Sequence, residues 1–315
     1  MQPLRLTRLT LRQLAYFEAV ARHRHFGRAA EACAVSQPAL SVQIQELERE
    51  LGVALVERNR GGVALTPQGE YVLQRVRRIL GEVQDLMDCA QSEAIGTVRL
   101  GVIPTIAPYL MPAILEAFRK QSATAQLQVR ETQTQRLVEE LEQGSIELML
   151  AALPIESQVI DVRSLFQDRF FLVVPANSRI GPKVDSIAAI QSHRLLLLEE
   201  GHCLREQALS VCSMADKEML ASLGATSLAT LIELVAAGMG VTLVPELCLP
   251  SIKGDSRVRV VPFRGAAPFR TIGLAWRKTS GRKSAFQRLG ELIIQTHKLH
   301  SRANRFGASI RSRGG

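Results

Sequence analysis

The sequence predicts an α/β protein with a separate helical domain at its N-terminus. Three observations carry this. Residues 11–51 show helical apolar spacing broken by capping and turn residues; residues 68–95 carry a heptad pattern; and from Gly96 short apolar runs alternate with helical segments. With 315 residues, 46% of them hydrophobic, the chain can build more than one core.

Taken in order, residues 11–25 place Leu14, Phe17 and Ala21 on one helical face, and residues 27–34 do the same with Ala29, Ala30 and Cys33. Ser36 is a good N-cap and Pro38 suits a first turn, so a third helix should run over 37–51 and stop at Gly52. Three short helices with a tight turn before the third form a helix-turn-helix, whose exposed face would offer Gln37, Ser41 and Gln45 to a major groove. Residues 57–67 hold Gly61 and Gly62 between two extended pieces and read as a wing, with Arg58 and Arg60 within reach of phosphates or the minor groove. In the long helix that follows, Val72, Val76, Ile79, Val83, Leu86 and Ala90 alternate steps of four and three, a seam that predicts pairing with a second copy. Cys89 falls in this helix and reads as structural.

The later strands are expected at 98–103, 127–129, 146–153, 170–174, 195–198, 241–244 and 271–276, and the helices at 109–120, 135–143, 187–191, 227–237 and 284–298. This alternation predicts a largely parallel sheet. The most informative stretch follows the apolar run 195–198. Gly201 breaks the strand pattern, so Cys203 falls near a helix N-terminus, where unpaired amides and nearby Arg205 favour a thiolate. Cys212 lies nine positions on. On one continuous helix the two would stand roughly 13 Å apart along the axis and about half a turn around it, too far for a disulfide unless the segment is rebuilt. The alternative is that both are small core residues.

Charge is uneven. Residues 1–80 hold 12 Arg and 7 Glu, residues 297–315 hold 5 Lys plus Arg and no acid, and the middle is close to neutral. A basic N-terminal domain suits nucleic acid, while an aromatic content of 4% offers little for stacking on single strands. No run reaches the ~18 apolar residues of a membrane span, and the N-terminus lacks a signal-peptide core, so a cytoplasmic protein is expected. Five irregularly spaced cysteines do not read as a secreted disulfide framework.

Two stretches resemble LysR-type transcriptional regulators. The first is the order Ala29-Ala30, Cys33, Val35-Ser36-Gln37-Pro38-Ala39-Leu40-Ser41, then Leu47-Glu48, Glu50-Leu51-Gly52, then Leu65-Thr66-Pro67 and Gly69. The second is Gly201-His202-Cys203-Leu204-Arg205, Gln207-Ala208 and Cys212, which is similar to the OxyR-type peroxide sensors of that family, except that Glu206 stands where an aspartate is frequent.

The resemblance implies a winged helix-turn-helix over 1–67, a dimerising linker helix over 68–95 and a two-lobed, periplasmic-binding-protein-like α/β effector domain over 96–300. A basic tail over 301–315 is expected to be disordered. It further implies that Cys203 attacks hydrogen peroxide and Cys212 resolves the product as a disulfide. Thr105, Thr134, His202 and Arg270 would surround the attacking sulfur. Without the resemblance, each threonine reads as a helix cap and Arg270 as a surface ion pair. Ser36, Gln37, Pro38, Ser41, Gln45, Arg58 and Arg60 would meet double-stranded DNA at near-palindromic promoter sites. Implied partners are a second copy or a homotetramer, RNA polymerase, and thioredoxin or glutaredoxin as reductant. No cofactor, metal or membrane is expected, and Cys33 and Cys248 carry no readable role. Rival readings are a LysR-type regulator of a small anionic metabolite, a thiol peroxidase and a transport binding protein.

Overall fold

The computed structural model describes residues 9–59, 62–90, 97–121, 125–185, 193–212, 220–265 and 267–311. The chain divides into two compact units, the first built on residues 1–92 and the second on most of the remainder.

In the first unit α1 (Leu11–His23) begins with a capping box. Gln13 N donates to Thr10 Oγ1 at 3.2 Å and Thr10 N donates to Gln13 Oε1 at 2.9 Å. α2 (Phe26–Ala32) is capped by His25 Nδ1, which accepts from Arg28 N. α3 (Gln37–Leu51) starts at the Ser36 cap, whose Oγ accepts from Ala39 N at 3.3 Å, and ends at Gly52 in the left-handed region. Leu40, Ile44 and Leu47 bury one face of α3 against Leu14, Phe17, Val20 and Ala29. The wing is an antiparallel hairpin of β1 (Val56–Asn59) and β2 (Gly62–Leu65). It is tied to α3 by Glu48 Oε1, which accepts from Leu55 N at 2.7 Å and Val56 N at 3.2 Å.

α4 (Pro67–Ala90) follows. Gly69 is required in its first turn, because a Cβ there would lie 2.0 Å from the Leu55 carbonyl oxygen. The heptad seam divides in two. Val76 and its flanking neighbour Leu73 are buried in the unit's own core, whereas Ile79 and Leu86 of the seam, with flanking Met87, are exposed, Leu86 by 69%.

The second unit has two lobes. β3 (Thr97–Val102), α5 (Ala107–Gln121), β4 (Gln126–Glu131), α6 (Thr134–Glu142) and β5 (Leu148–Leu153) begin the first. The long β6 (Ile160–Pro175) then crosses to the second lobe, which contains β7 (Leu195–Leu198), α7 (Cys203–Cys212), β8 (Leu220–Ala225), α8 (Leu228–Ala236) and β9 (Thr242–Pro245). A 3-10 turn (Glu246–Cys248), α9 (Leu249–Ile252) and β10 (Val258–Val261) complete it. β11 (Phe269–Arg277) and α10 (Lys283–Arg311) return to the first lobe.

β4, β3 and β5 pair in parallel, as do β7 and β8. The expectation of a largely parallel sheet is corrected by the rest: β11 is antiparallel to β5 and β6, and β9 and β10 are antiparallel to β6. The reason is topological, since the strand leaving the first lobe and the strand returning to it run in opposite directions side by side. β6 serves both lobes, pairing with β11 up to Arg169 and with β9 from Phe170. One core gathers Leu100, Leu110, Leu150, Ile272 and Phe286; the other gathers Phe170, Leu196, Leu204, Leu231 and Val244.

The expected helix at 187–191 lies outside the described residues. α10 is helical to Arg311, past the point at which a disordered tail was expected to begin. A 16-residue β6 and the strands β8 and β10 were not anticipated.

Candidate functional site

Two surfaces carry the predicted site residues. On α3, Gln37, Pro38 and Gln45 are exposed and Ser41 is half-buried. Gln37, Ser41 and Gln45 recur every four residues in a stripe that flanks the buried Leu40, Ile44 and Leu47, with Gln37 and Gln45 exposed at its two ends. Ser36 acts as the cap. Arg60 and the Arg58 side chain lie outside the described residues.

The second site lies where the two lobes of the second unit meet. Thr105, in the turn after β3, is 3% exposed, and Arg270, at the start of β11, is 2% exposed. Arg270 Nη1 donates to Thr105 Oγ1 at 2.7 Å and Nη2 to the Thr105 carbonyl at 3.1 Å. The guanidinium is buried and paired, not the surface ion pair that the residue suggests without the resemblance. Its Nε donates to Asp168 Oδ2 at 3.0 Å, and Asp168 stands directly opposite Arg270 across β6 and β11. The other Asp168 oxygen accepts from Leu247 N at 3.1 Å. Burial raises the Asp168 carboxyl above the usual carboxylate range, while Arg270 and the Leu247 amide pull it back. Sequence reasoning missed Asp168, because nothing near it in the chain marks a partner 102 residues away.

Cys203 is the first residue of α7 and Cys212 the last, so one ten-residue helix spans the pair. Cys203 is a half-buried free thiol that packs against the first-lobe core, whereas Leu204 and Ala208 sink into the second. The Cys212 side chain lies outside the described residues. Arg205 is turned back onto β7, donating to the Leu198 carbonyl at 3.1 Å. His202 is 8% exposed, and burial holds its imidazole below the ordinary histidine range despite the opposing charge of Glu199.

Gly201 takes φ 88°, and a Cβ there would come 2.6 Å from Gln133 Oε1, so the turn before α7 abuts the turn before α6. Thr134, the first residue of α6, has a buried hydroxyl without a hydrogen-bond partner. The structure thus joins Thr105 to Arg270, and the Cys203 turn to the Thr134 turn. Among the described residues no hydrogen bond links the one pair to the other.

Cys248 is wholly buried; its Sγ lies 3.8 Å from the Thr105 carbonyl oxygen, and burial pushes the thiol up to about 12. Among the described residues no cluster of three or more His, Cys, Asp or Glu could hold a metal ion, and no helix is long and apolar enough to cross a membrane.

A winged helix-turn-helix joined through a long helix to a two-lobed α/β unit defines a transcription regulator that carries its own sensing domain. The chain belongs to the LysR family: residues 11–70 match the bacterial regulatory helix-turn-helix protein of that family and residues 91–298 match the LysR substrate binding domain. It is similar to the DNA-binding transcriptional dual regulator OxyR of Escherichia coli K12, 38% identical over 293 residues that cover 90% of this chain and 95% of that one. The HTH-type transcriptional regulator EstR of Acinetobacter baylyi is 37% identical over 297 residues, covering 92% and 98%. Among solved structures, a cysteine-to-aspartate variant of full-length OxyR from Pseudomonas aeruginosa superposes with a TM-score of 0.77 at 33% identity, covering 90% of this chain and 94% of that one. A cysteine-to-serine variant of OxyR from Corynebacterium glutamicum with hydrogen peroxide bound gives 0.68 at 30% identity, covering 95% and 96%. These relatives are regulators of transcription and not enzymes.

Proposed function

We propose that this regulator responds to hydrogen peroxide through a reversible disulfide between Cys203 and Cys212. The observation that carries the reading is the placement of Cys203. It opens a helix that ends in the second cysteine, and its turn abuts the turn that presents the unpartnered buried hydroxyl of Thr134.

The Cys203 thiolate attacks one peroxide oxygen. A sulfur–oxygen bond forms, the oxygen–oxygen bond breaks, sulfur loses two electrons, and the departing hydroxide takes up a proton to leave as water. Neutral His202 can accept the proton of the attacked oxygen, and the hydroxyls of Thr105 and Thr134 can donate to peroxide. The Cys212 thiolate then attacks the sulfenic sulfur, forming the disulfide and expelling the second oxygen as water. Because the two cysteines stand at opposite ends of α7, closing the bond unwinds that helix. The refolded segment alters how the sensing domains pair and so how two winged helices engage a near-palindromic promoter.

In this reading the exposed Ile79, Leu86 and Met87 of α4 meet a second copy, and a homotetramer forms through the sensing domains. RNA polymerase is the downstream partner, thioredoxin or glutaredoxin resets the dithiol, and the protein works in the cytoplasm. Likeness to OxyR supports the effector, whereas the comparable likeness to EstR, whose name specifies no effector, and the match of residues 91–298 to a substrate binding domain support a second reading in which a small anionic metabolite binds between the lobes.

The deciding experiment adds stoichiometric hydrogen peroxide to reduced protein under anaerobic conditions, then blocks free thiols and maps peptides by mass spectrometry. A rapid Cys203 to Cys212 crosslink, with Cys33, Cys89 and Cys248 still free, is expected. If both cysteines stay reduced, the metabolite reading replaces this one.

A further inference from the structure

The buried carboxylate of Asp168 has no part in the chemistry above, yet it joins three segments at the lobe junction: β6, β11 and the turn after β9. It lies on β6 two residues before Phe170, where that strand exchanges β11 for β9 as its partner. Its Oδ2 receives Arg270 Nε, with Nη2 at 2.9 Å, and its Oδ1 receives the Leu247 amide from the turn after β9. One side chain, 1% exposed, thus ties both crossing strands to the second lobe.

The consequence reaches Thr105. With Nε and Nη2 held by Asp168, the guanidinium plane is fixed, and Nη1 points at Thr105 Oγ1 from 2.7 Å. Nη2 also donates to the Thr105 carbonyl, so backbone and side chain are clamped together. Since Arg270 can only donate, the threonine oxygen must act as acceptor in this contact, and its own proton is left to point elsewhere. A threonine clamped in this way is a preset hydrogen-bond donor. Peroxide needs such a donor, because negative charge builds on the departing oxygen as the oxygen–oxygen bond breaks.

We propose that Asp168 is a positioning residue for the peroxide reaction, acting through Arg270 to fix the Thr105 hydroxyl as the donor to the departing oxygen. This rests on the peroxide reading above. The reaction is unchanged in its balance: the thiolate of Cys203 is oxidised by two electrons, and peroxide is reduced to hydroxide and then water. Asp168 exchanges no proton and touches no reacting atom.

The test uses full-length, reduced protein and follows two reactions of the same sulfur by peptide mass spectrometry: oxidation by hydrogen peroxide and alkylation by iodoacetamide. Alkylation expels iodide and needs no donor from Thr105, so it reports access and local folding only. In Asp168→Asn the rate constant with peroxide should fall about 10- to 100-fold, the scale of a misplaced catalytic hydrogen bond, while alkylation stays within about twofold of wild type.

Thr105→Ala should fall as far, and the double variant should be no more than about threefold below Thr105→Ala, because the two losses act through one hydroxyl. A wild-type peroxide rate in Asp168→Asn, or losses that multiply in the double variant, would overturn the proposal. Should Asp168→Asn fail to fold with an uncompensated Arg270, Asp168→Glu carries the test. It keeps the charge but displaces the guanidinium, so it should slow peroxide and not iodoacetamide; equal slowing of both, or of neither, overturns the proposal. If Cys203 of the wild-type protein ignores peroxide, the function itself is wrong, an outcome distinct from a wild-type rate in the variant.

Discussion

Replacing Leu204 with alanine should make the proposed Cys203–Cys212 disulfide harder to reduce. The two cysteines end a ten-residue helix, nine steps of about 1.5 Å apart and half a turn around it, whereas a disulfide needs Cα atoms within about 7 Å. Oxidation therefore has to pull α7 apart, and Leu204, 2% exposed and seated in the second-lobe core, is its nearest anchor. Truncating such a leucine typically costs 2–5 kcal/mol, and the loss falls on the reduced form, which alone keeps the side chain buried. Taking about 3 kcal/mol and about 30 mV per 1.4 kcal/mol for a two-electron couple, the midpoint potential should move roughly 60 mV more negative. Equilibration in dithiothreitol buffers, followed by alkylation and mass spectrometry, measures it. Leu231→Ala is the control, since Leu231 is 1% exposed in the same core but sits on α8, outside the refolding segment. A Leu204→Ala potential that is unchanged, that rises, or that moves no further than in Leu231→Ala would refute the unwinding of α7.

Further expectations follow from the same geometry. Because burial lowers the His202 titration below its unfolded value near 6.5, the unfolded chain binds the extra proton first, so this residue subtracts stability as pH falls through and below that value. Urea melts of the reduced protein at pH 7.5 and 5.5 should show a smaller loss in His202→Asn than in wild type; equal losses would contradict the assignment. If exposed Gln45 reads base edges, as the helix-turn-helix reading implies, Gln45→Ala should weaken binding to a specific promoter about tenfold while leaving affinity for unrelated duplex alone. A uniform loss on both duplexes in gel-shift titrations would instead make Gln45 a backbone contact. Cys248, with its thiol pushed up to about 12, should stay unmodified in folded protein at pH 8 under iodoacetamide that labels Cys203, and equal labelling would show that its burial is transient.

The sequence was most legible where local chemistry sets the structure. The Ser36 cap, Pro38 and Gly52 bound α3 without reference to anything distant, and the apolar run 195–198 with Gly201 marks the entry into α7. It was least legible where partners lie far along the chain. The first half of β6 alternates polar and apolar residues irregularly, because its neighbour is β11, which arrives about a hundred residues later. The same separation hid the Asp168–Arg270 pair: a strand aspartate reads as an edge or surface residue until its partner is placed opposite. Arg205 shows the same limit at short range, since its sequence position beside Cys203 does not foretell the hydrogen bond it donates to the Leu198 carbonyl. In α4 the heptad spacing could not reveal that Leu73 and Val76 belong to their own domain's core while Leu86 faces outward.

The position of β11 between β5 and β6 also orders events during synthesis. Every strand of the second lobe is made by residue 261, whereas the sheet of the first lobe has a gap until residue 277 leaves the ribosome. The later-made lobe can therefore close first, against the usual order of nascent chains, while β5 waits with an unpaired edge. The strand that fills that gap is also the one that delivers Arg270 to Asp168, so the clamp on Thr105 is finished by the same step that seals the sheet.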